Sequence, residues 1–286
     1  MEFFQIDVFA SGPYRGNPLA VFPDASSLDD DQMQSIAREM KLSETTFVTG
    51  IEGDTYDVRI FTPGEELPFA GHPTIGTAWV LSRKGLLSGT KIIQRSKAGD
   101  TPVAISSDGA SFERTGGSDP DLADKDADST AVIAKALALD TEQVGLDAAQ
   151  LGREGRLLPA ASDAGVPVFV VPVRDREALR SIELRIDLFR AIDEAGAYCF
   201  TATEKGLIEA RGLFPGLGVP EDPATGAGGA ATGLYLADRL GDIDVTIEQG
   251  LQVQRPSVIE VSASPGRVRV SGSCHFVFSG TLEALP

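Results

Sequence analysis

The sequence predicts an α+β protein of two pseudo-symmetric halves, each a β-barrel-like sheet wrapped around a central helix. Three observations lead there. The stretch EELPFAGHPTIGTA at residues 65–78 has a counterpart in PEDPATGAGGAATG at 220–233, an offset of 155 positions. Under that offset Glu66 falls on Glu221, Pro68 on Pro223, Gly71 on Gly226, Thr77 on Thr232 and Leu81 on Leu236. Further on, Ile92 and Gln94 meet Ile247 and Gln249. Coincidences repeated at one gap mark a duplicated unit. The second observation is that TIGTAWVL and AATGLYLA are apolar or small nearly all round, so each is a helix meant to be buried. The third is that strands of β-branched residues flank each helix in sequence and can curl around it.

The elements follow in order. MEFFQIDVFASG lacks a basic leader, and Gln5 and Asp7 interrupt its apolar run. It reads as a first strand, Phe3–Phe9, rather than a signal peptide. After the turn SGPYRGNP comes a short strand, Leu19–Phe22. The helix DDDQMQSIAREM opens with three aspartates, where the helix dipole favours them, and Met33, Ile36, Ala37 and Met40 repeat at helical spacing. Strands SETTFVTG and TYDVRIFTP lead to the buried helix Thr74–Leu81, then to strands KIIQRS, TPVAISS and SFERT. The second half repeats this order: strand VPVFVVPV, a helix over LRIDLFRAIDEAG, strands AYCFTAT and LIEARGLF, the buried helix Ala230–Ala237, and strands DVTIEQG, SVIEVSA and RVRVSGS. The expected domains are 1–115, with the C-terminal strand 274–286 available to complete it, and 131–273. Between them GGSDPDLADKDADST (116–130) reads as an acidic surface linker or an ordinary exposed loop.

Composition narrows the function. The 286 residues are 42% hydrophobic and 23% charged, ordinary for a globular protein able to bury a core without metals or disulfides. A net charge of −17 argues against nucleic acid and anionic membranes as partners. No run approaches the apolar length of a membrane span. Two cysteines without a pairing framework fit a reducing cytoplasm.

The chemistry-bearing residues are few. Gly-rich starts to both central helices offer backbone N–H groups that can hold an anion; alternatively, the glycines only permit tight helix packing. GAGGAA (226–231) lacks the spacing of a dinucleotide fingerprint, and no GK[ST] follows as in a phosphate-binding loop. Candidates for proton transfer are Glu44 in SETTFV, His72 at the first helix start and Asp222 before the second. Glu44 stands among β-branched and aromatic neighbours that would raise its basicity; the alternatives are a solvated strand carboxylate, a packed imidazole and an ordinary helix N-cap. Cys199 and Cys274 lie in apolar strands and read as small buried hydrophobes. Two histidines without clustered ligand spacing suggest no metal site, and no cofactor is expected.

GNPLAVF (16–22), SETTFV (43–48), RIFTPGEELPFAGHP (59–73), EDPATG (221–226) and SGTL (279–282) together resemble the phenazine-biosynthesis PhzF-like isomerases of the diaminopimelate epimerase-like fold. The blocks run end to end along the chain. The resemblance implies an active site between the two halves, with Glu44 as acid/base and His72 and Asp222 assisting. It implies that Asn17, Gly71, Pro73, Thr225, Gly226 and Ala227 bind the substrate, with amides at the helix starts on its carboxylate. It further implies a homodimer. Family members often carry Ser where this chain has Ala227; the amide is kept and a hydroxyl lost. The expected activity is cofactor-independent proton transfer within a small carboxylate-bearing metabolite. The alternatives are a non-catalytic small-anion-binding or scaffold protein on the same fold, and an amino-acid epimerase or racemase, which the cysteine positions disfavour.

Overall fold

The computed structural model describes residues 1–119, 129–190, 192–193 and 196–286. Residues 120–128, most of the expected linker, lie outside the described residues. The chain divides into two compact units, Met1–Glu113 with Val270–Pro286, and Arg114–Arg269.

In the first unit, β1 (Glu2–Val8) buries Phe4, Ile6 and Val8 by alternation. It pairs antiparallel with β2 (Asn17–Phe22) on one side and with the last strand on the other, Glu2 opposite Thr281. Next to β2 in sequence lies α1 (Asp30–Met40), and β3 (Glu44–Glu52) then runs parallel to β2. Parallel neighbours need a crossover, and α1 supplies it. Asp29 caps α1 in a reciprocal capping box with Gln32, while Met33, Ile36 and Ala37 pack on Phe22, Phe47 and Phe61. β4 (Thr55–Phe61) forms a hairpin with β3, and the two-residue β5 (Glu66–Leu67) folds back on β4. Then α2 (Gly71–Arg83) crosses to β6 (Lys91–Ser96), parallel to β4, and β7 (Gly99–Ile105) and β8 (Gly109–Thr115) follow antiparallel.

α2 is buried at every residue from Gly71 to Leu81, as its all-round apolar sequence requires. A Cβ at Gly76 would lie 2.6 Å from Leu19 Cδ2 and 2.8 Å from Val8 Cγ2. Only glycine lets the helix lie this close to β1 and β2.

The second unit repeats the plan. After β9 (Gly117–Ser118), α3 (Ser129–Ala136) and the small pair β10 (Leu146–Asp147) and β11 (Arg156–Leu157), β12 (Ala160–Asp163) pairs with β13 (Pro167–Pro172). The crossover α4 (Arg176–Ser181) and α5 (Ile186–Phe189) leads to β14 (Ala197–Glu204), parallel to β13. β15 (Leu207–Phe214) forms a hairpin with β14, and β16 (Val219–Asp222) folds back on β15. Then α6 (Gly226–Leu240) crosses to β17 (Ile243–Gln249), parallel to β15, and β18 (Ser257–Ser264) returns antiparallel. α2 and α6 start at Gly71 and Gly226, a pair matched by the offset. Each short return strand is clamped by a bidentate ion pair. Arg59 donates to Glu66 at 2.9 and 2.6 Å in one unit, and Arg211 to Glu221 at 3.0 and 2.9 Å in the other.

One expected element is much shorter than its sequence suggests. Of LRIDLFRAIDEAG, only Ile186–Phe189 is helical among the described residues. Just before it, Glu183 and Arg185 donate their N–H groups to Leu137 and Ala136 carbonyls after α3 and at its end. These bonds hold the backbone out of helical register until Ile186, and Phe189 then anchors the turn in the core.

Candidate active site

Glu44 opens β3 beside Leu19 of β2, and Asn17 opens β2 two residues earlier. The return from β5 into α2 brings His72, the second residue of that helix, against both. Glu44 Oε2 lies 3.4 Å from His72 Nε2, and Asn17 Nδ2 lies 3.3 Å from His72 Nδ1. Their exposures differ: the His72 side chain is 4% accessible and that of Glu44 15%. The ring is sealed, whereas the carboxylate keeps a path to solvent.

A histidine facing a carboxylate suggests an ion pair, but burial dominates here. Desolvation pushes the His72 pKa down to about 3, so the ring is neutral. An amide nitrogen can only donate, so Nδ1 is the acceptor and the ring proton sits on Nε2, the nitrogen 3.4 Å from Glu44 Oε2, although the two atoms are not aligned for a hydrogen bond here. Around this cluster lies the start of α2. Its first intrahelical bond runs from Thr74 N–H to Ala70 O, leaving the Gly71 and His72 N–H groups ahead of it; Pro73 has none. The cap position, Ala70, has no side chain able to satisfy them.

The second unit gathers Asp222, Thr225, Gly226 and Ala227. Asp222 ends β16 and is 7% exposed. It is not the cap of α6: Thr225 holds that position and makes no capping bond, its hydroxyl donating instead to Asp222 Oδ2 at 2.6 Å. The first intrahelical bond of α6 is Gly229 N–H to Thr225 O, so the N–H groups of Gly226 and Ala227 precede it. Ala227 is half-buried beside buried Gly226 and Gly228.

Asn17, Glu44, Gly71, His72 and Pro73 therefore meet within the first unit, and Asp222, Thr225, Gly226 and Ala227 within the second. Sequence reasoning passed over Tyr198 and the role of Gln249, although the offset had already matched Gln249 to Gln94. Both cysteines are buried. Burial pushes the Cys199 thiol up to about 12 and raises that of Cys274 as well, so both stay protonated. A concavity of about 920 Å³ in the first unit, lined by Met1, Pro23, Thr49, Ile51, Leu86 and Leu285 among others, includes none of the candidate residues.

A sheet wrapped around a buried helix, built twice, places the chain in the diaminopimelate epimerase-like fold class. A probable proline racemase from Agrobacterium radiobacter shares the fold at TM-score 0.60 and 12% identity, with 98% of this chain and 92% of that one covered. A PhzF-family phenazine biosynthesis protein from Bacillus anthracis superposes at TM-score 0.82 with 23% identity, over 98% of each chain. Residues 6–280 match the family described as phenazine biosynthesis-like protein. The trans-2,3-dihydro-3-hydroxyanthranilate isomerase of Pseudomonas fluorescens is 33% identical over 290 residues, covering 94% of each chain. The chain belongs to this PhzF-like family of isomerases.

Proposed function

We propose that the protein isomerises a small carboxylate-bearing metabolite by moving a proton between carbons, with Glu44 as the acid/base. The observation that carries this is the partly accessible Glu44 carboxylate set 3.4 Å from a buried, neutral His72. A neutral imidazole does not quench the carboxylate as an imidazolium would, and its Nε2–H can steady Glu44 before and after proton transfer. Asn17 fixes the tautomer. The uncapped N–H groups of Gly71 and His72 offer donors for the substrate carboxylate and for charge that develops during transfer. Asp222, with Thr225, Gly226 and Ala227, acts on the same substrate in this reading, and the working form is a homodimer. With Ala227, the substrate receives an amide but no hydroxyl at that position. Cysteine-based epimerisation is not favoured, because both thiols are held protonated.

No helix among the described residues is long and apolar enough to cross a membrane, and we place the reaction in the cytoplasm. The test is incubation with trans-2,3-dihydro-3-hydroxyanthranilate, the compound naming the Pseudomonas fluorescens relative, and with other unsaturated carboxylic acids in D₂O. Deuterium should enter carbon with the parent and not with Glu44→Gln. Equal exchange by the variant would overturn the assignment of Glu44. Sedimentation as a monomer at micromolar concentration would overturn the dimer.

A further inference from the structure

Gln94 and Gln249 are matched by the duplication, yet neither has a part in the chemistry above. Both are fully or almost fully buried, at 0% and 1% exposure. In the first unit Tyr56 donates its hydroxyl to Gln94 Oε1 at 2.8 Å, and Gln94 Nε2 donates to Thr74 Oγ1 at 2.9 Å. The Thr74 hydroxyl then donates to the Ala70 carbonyl at 2.8 Å. This chain of donors ends on backbone and does no more than fasten the start of α2.

In the second unit the same chain ends on a carboxylate. Tyr198 donates its hydroxyl to Gln249 Oε1 at 2.8 Å, and Thr225 N–H reaches the same oxygen at 3.1 Å. Gln249 Nε2 donates to the Asp222 carbonyl at 2.7 Å and to Thr225 Oγ1 at 3.0 Å. All four hydrogen-bonding capacities of the amide are used, so its orientation is fixed. Because Thr225 Oγ1 accepts from Gln249, its single proton is directed to Asp222 Oδ2.

We infer that Gln249 is a positioning residue for the isomerase site: it aims the Thr225 hydroxyl at Asp222 and ties that residue's backbone to the start of α6, whereas Gln94 is purely structural. The inference rests on the reading of Asp222 as a working residue. The tyrosines come from different strands, β4 and β14, so the chain was completed separately around each duplicated glutamine. A donor locked onto a carboxylate favours its ionised form and holds it in one orientation.

The test needs no substrate. The Asp222 side-chain carbonyl resonance of ¹³C-labelled protein is followed against pH in the parent, Thr225→Val, Thr225→Ser, Gln249→Met and Gln94→Met. Tyr198, which acts electrostatically with Asp222, and the adjacent Glu221 with its partner Arg211 are left in place by every variant. Thr225→Val and Gln249→Met should each raise the proton affinity of Asp222 about tenfold, the effect of losing one hydrogen bond to a carboxylate. Thr225→Ser and Gln94→Met should titrate as the parent does. Thr225→Val superimposing on the parent would overturn the inference, as would Gln94→Met moving as far as Gln249→Met. If Gln249→Met fails to fold, Thr225→Val decides alone, since it exchanges only a hydroxyl for a methyl. Undiminished D₂O exchange by Asp222→Asn would remove the functional reading of Asp222 and leave the titration result standing.

Discussion

Asn17 Nδ2 sits 3.3 Å from His72 Nδ1, and this contact decides which proton the buried ring shows to Glu44. With Nδ1 occupied as acceptor, the ring proton is left on Nε2, the nitrogen nearer the carboxylate. Asn17→Leu would release that tautomer, and carbon exchange is expected to fall while the fold persists.

Glu44→Gln should reduce deuterium incorporation at least about a hundredfold, the lower range of general-base contributions. Thermal unfolding should change little, because Glu44 lies at the strand end with its side chain 15% accessible. Mass spectrometry of the product and calorimetry of the protein check the two halves of this expectation.

His72 makes stability depend on pH in a defined direction. Its folded pKa is depressed to about 3 by burial, so between that value and the ordinary histidine value the unfolded chain binds the extra proton. Stability from this group is therefore complete above about pH 6.5 and is lost as pH falls toward about 3. Between about pH 6 and 5 the parent's unfolding free energy should fall more steeply than that of His72→Asn, by up to about 1.4 kcal/mol per pH unit. Parallel curves from urea titrations would contradict it.

Gly228→Ala should destabilise the protein although alanine is the better helix former. An added Cβ would lie 2.3 Å from Tyr198 Cδ2 and 2.5 Å from Cε2. Overpacking of about 1–3 kcal/mol outweighs a helix-propensity gain of about 1 kcal/mol. Denaturant unfolding measures the net effect.

The two return-strand clamps should differ in worth. Arg211 is 8% exposed and donates not only to Glu221 but also to the Leu179 and Ile182 carbonyls at 3.1 and 3.0 Å. Arg211→Met should cost about 3–5 kcal/mol by stranding those buried acceptors. The Arg59 side chain is 23% accessible, and Lys97 also reaches Glu66. Arg59→Met should cost only about 1 kcal/mol, nearer the value of a surface pair. Equal losses in unfolding experiments would refute the distinction.

Much of this was legible in the residues because duplication leaves a constant offset. Gly71 and Gly226 located both buried helices, and the all-round apolar pattern of each gave its place in the core. The Glu44–His72 pairing came through the resemblance, since no local pattern links a strand start to a helix start. The Gln94 and Gln249 chains were half visible: the glutamines obey the offset, but Tyr56 and Tyr198 come from non-equivalent strands and do not. The helix over 184–196 failed for another reason. Leu184, Leu188, Phe189 and Ile192 do pack on the core, but backbone bonds to α3 and the residue after it fix the chain before Ile186. Periodicity records which residues are buried and is blind to a backbone already committed elsewhere.

The pairing of β1 with the last strand sets the order in which the molecule can be built during synthesis. Glu2 lies opposite Thr281, and Leu282 N–H bonds to the Met1 carbonyl at 2.7 Å. The first unit thus lacks a strand until residues 270–286 have left the ribosome, whereas the second is one continuous stretch. Nascent chains should therefore finish the second unit first, with β1 exposing an unpaired edge in the meantime. β2, made at once, pairs the opposite side of β1, so a single edge of that strand waits for the C-terminal residues.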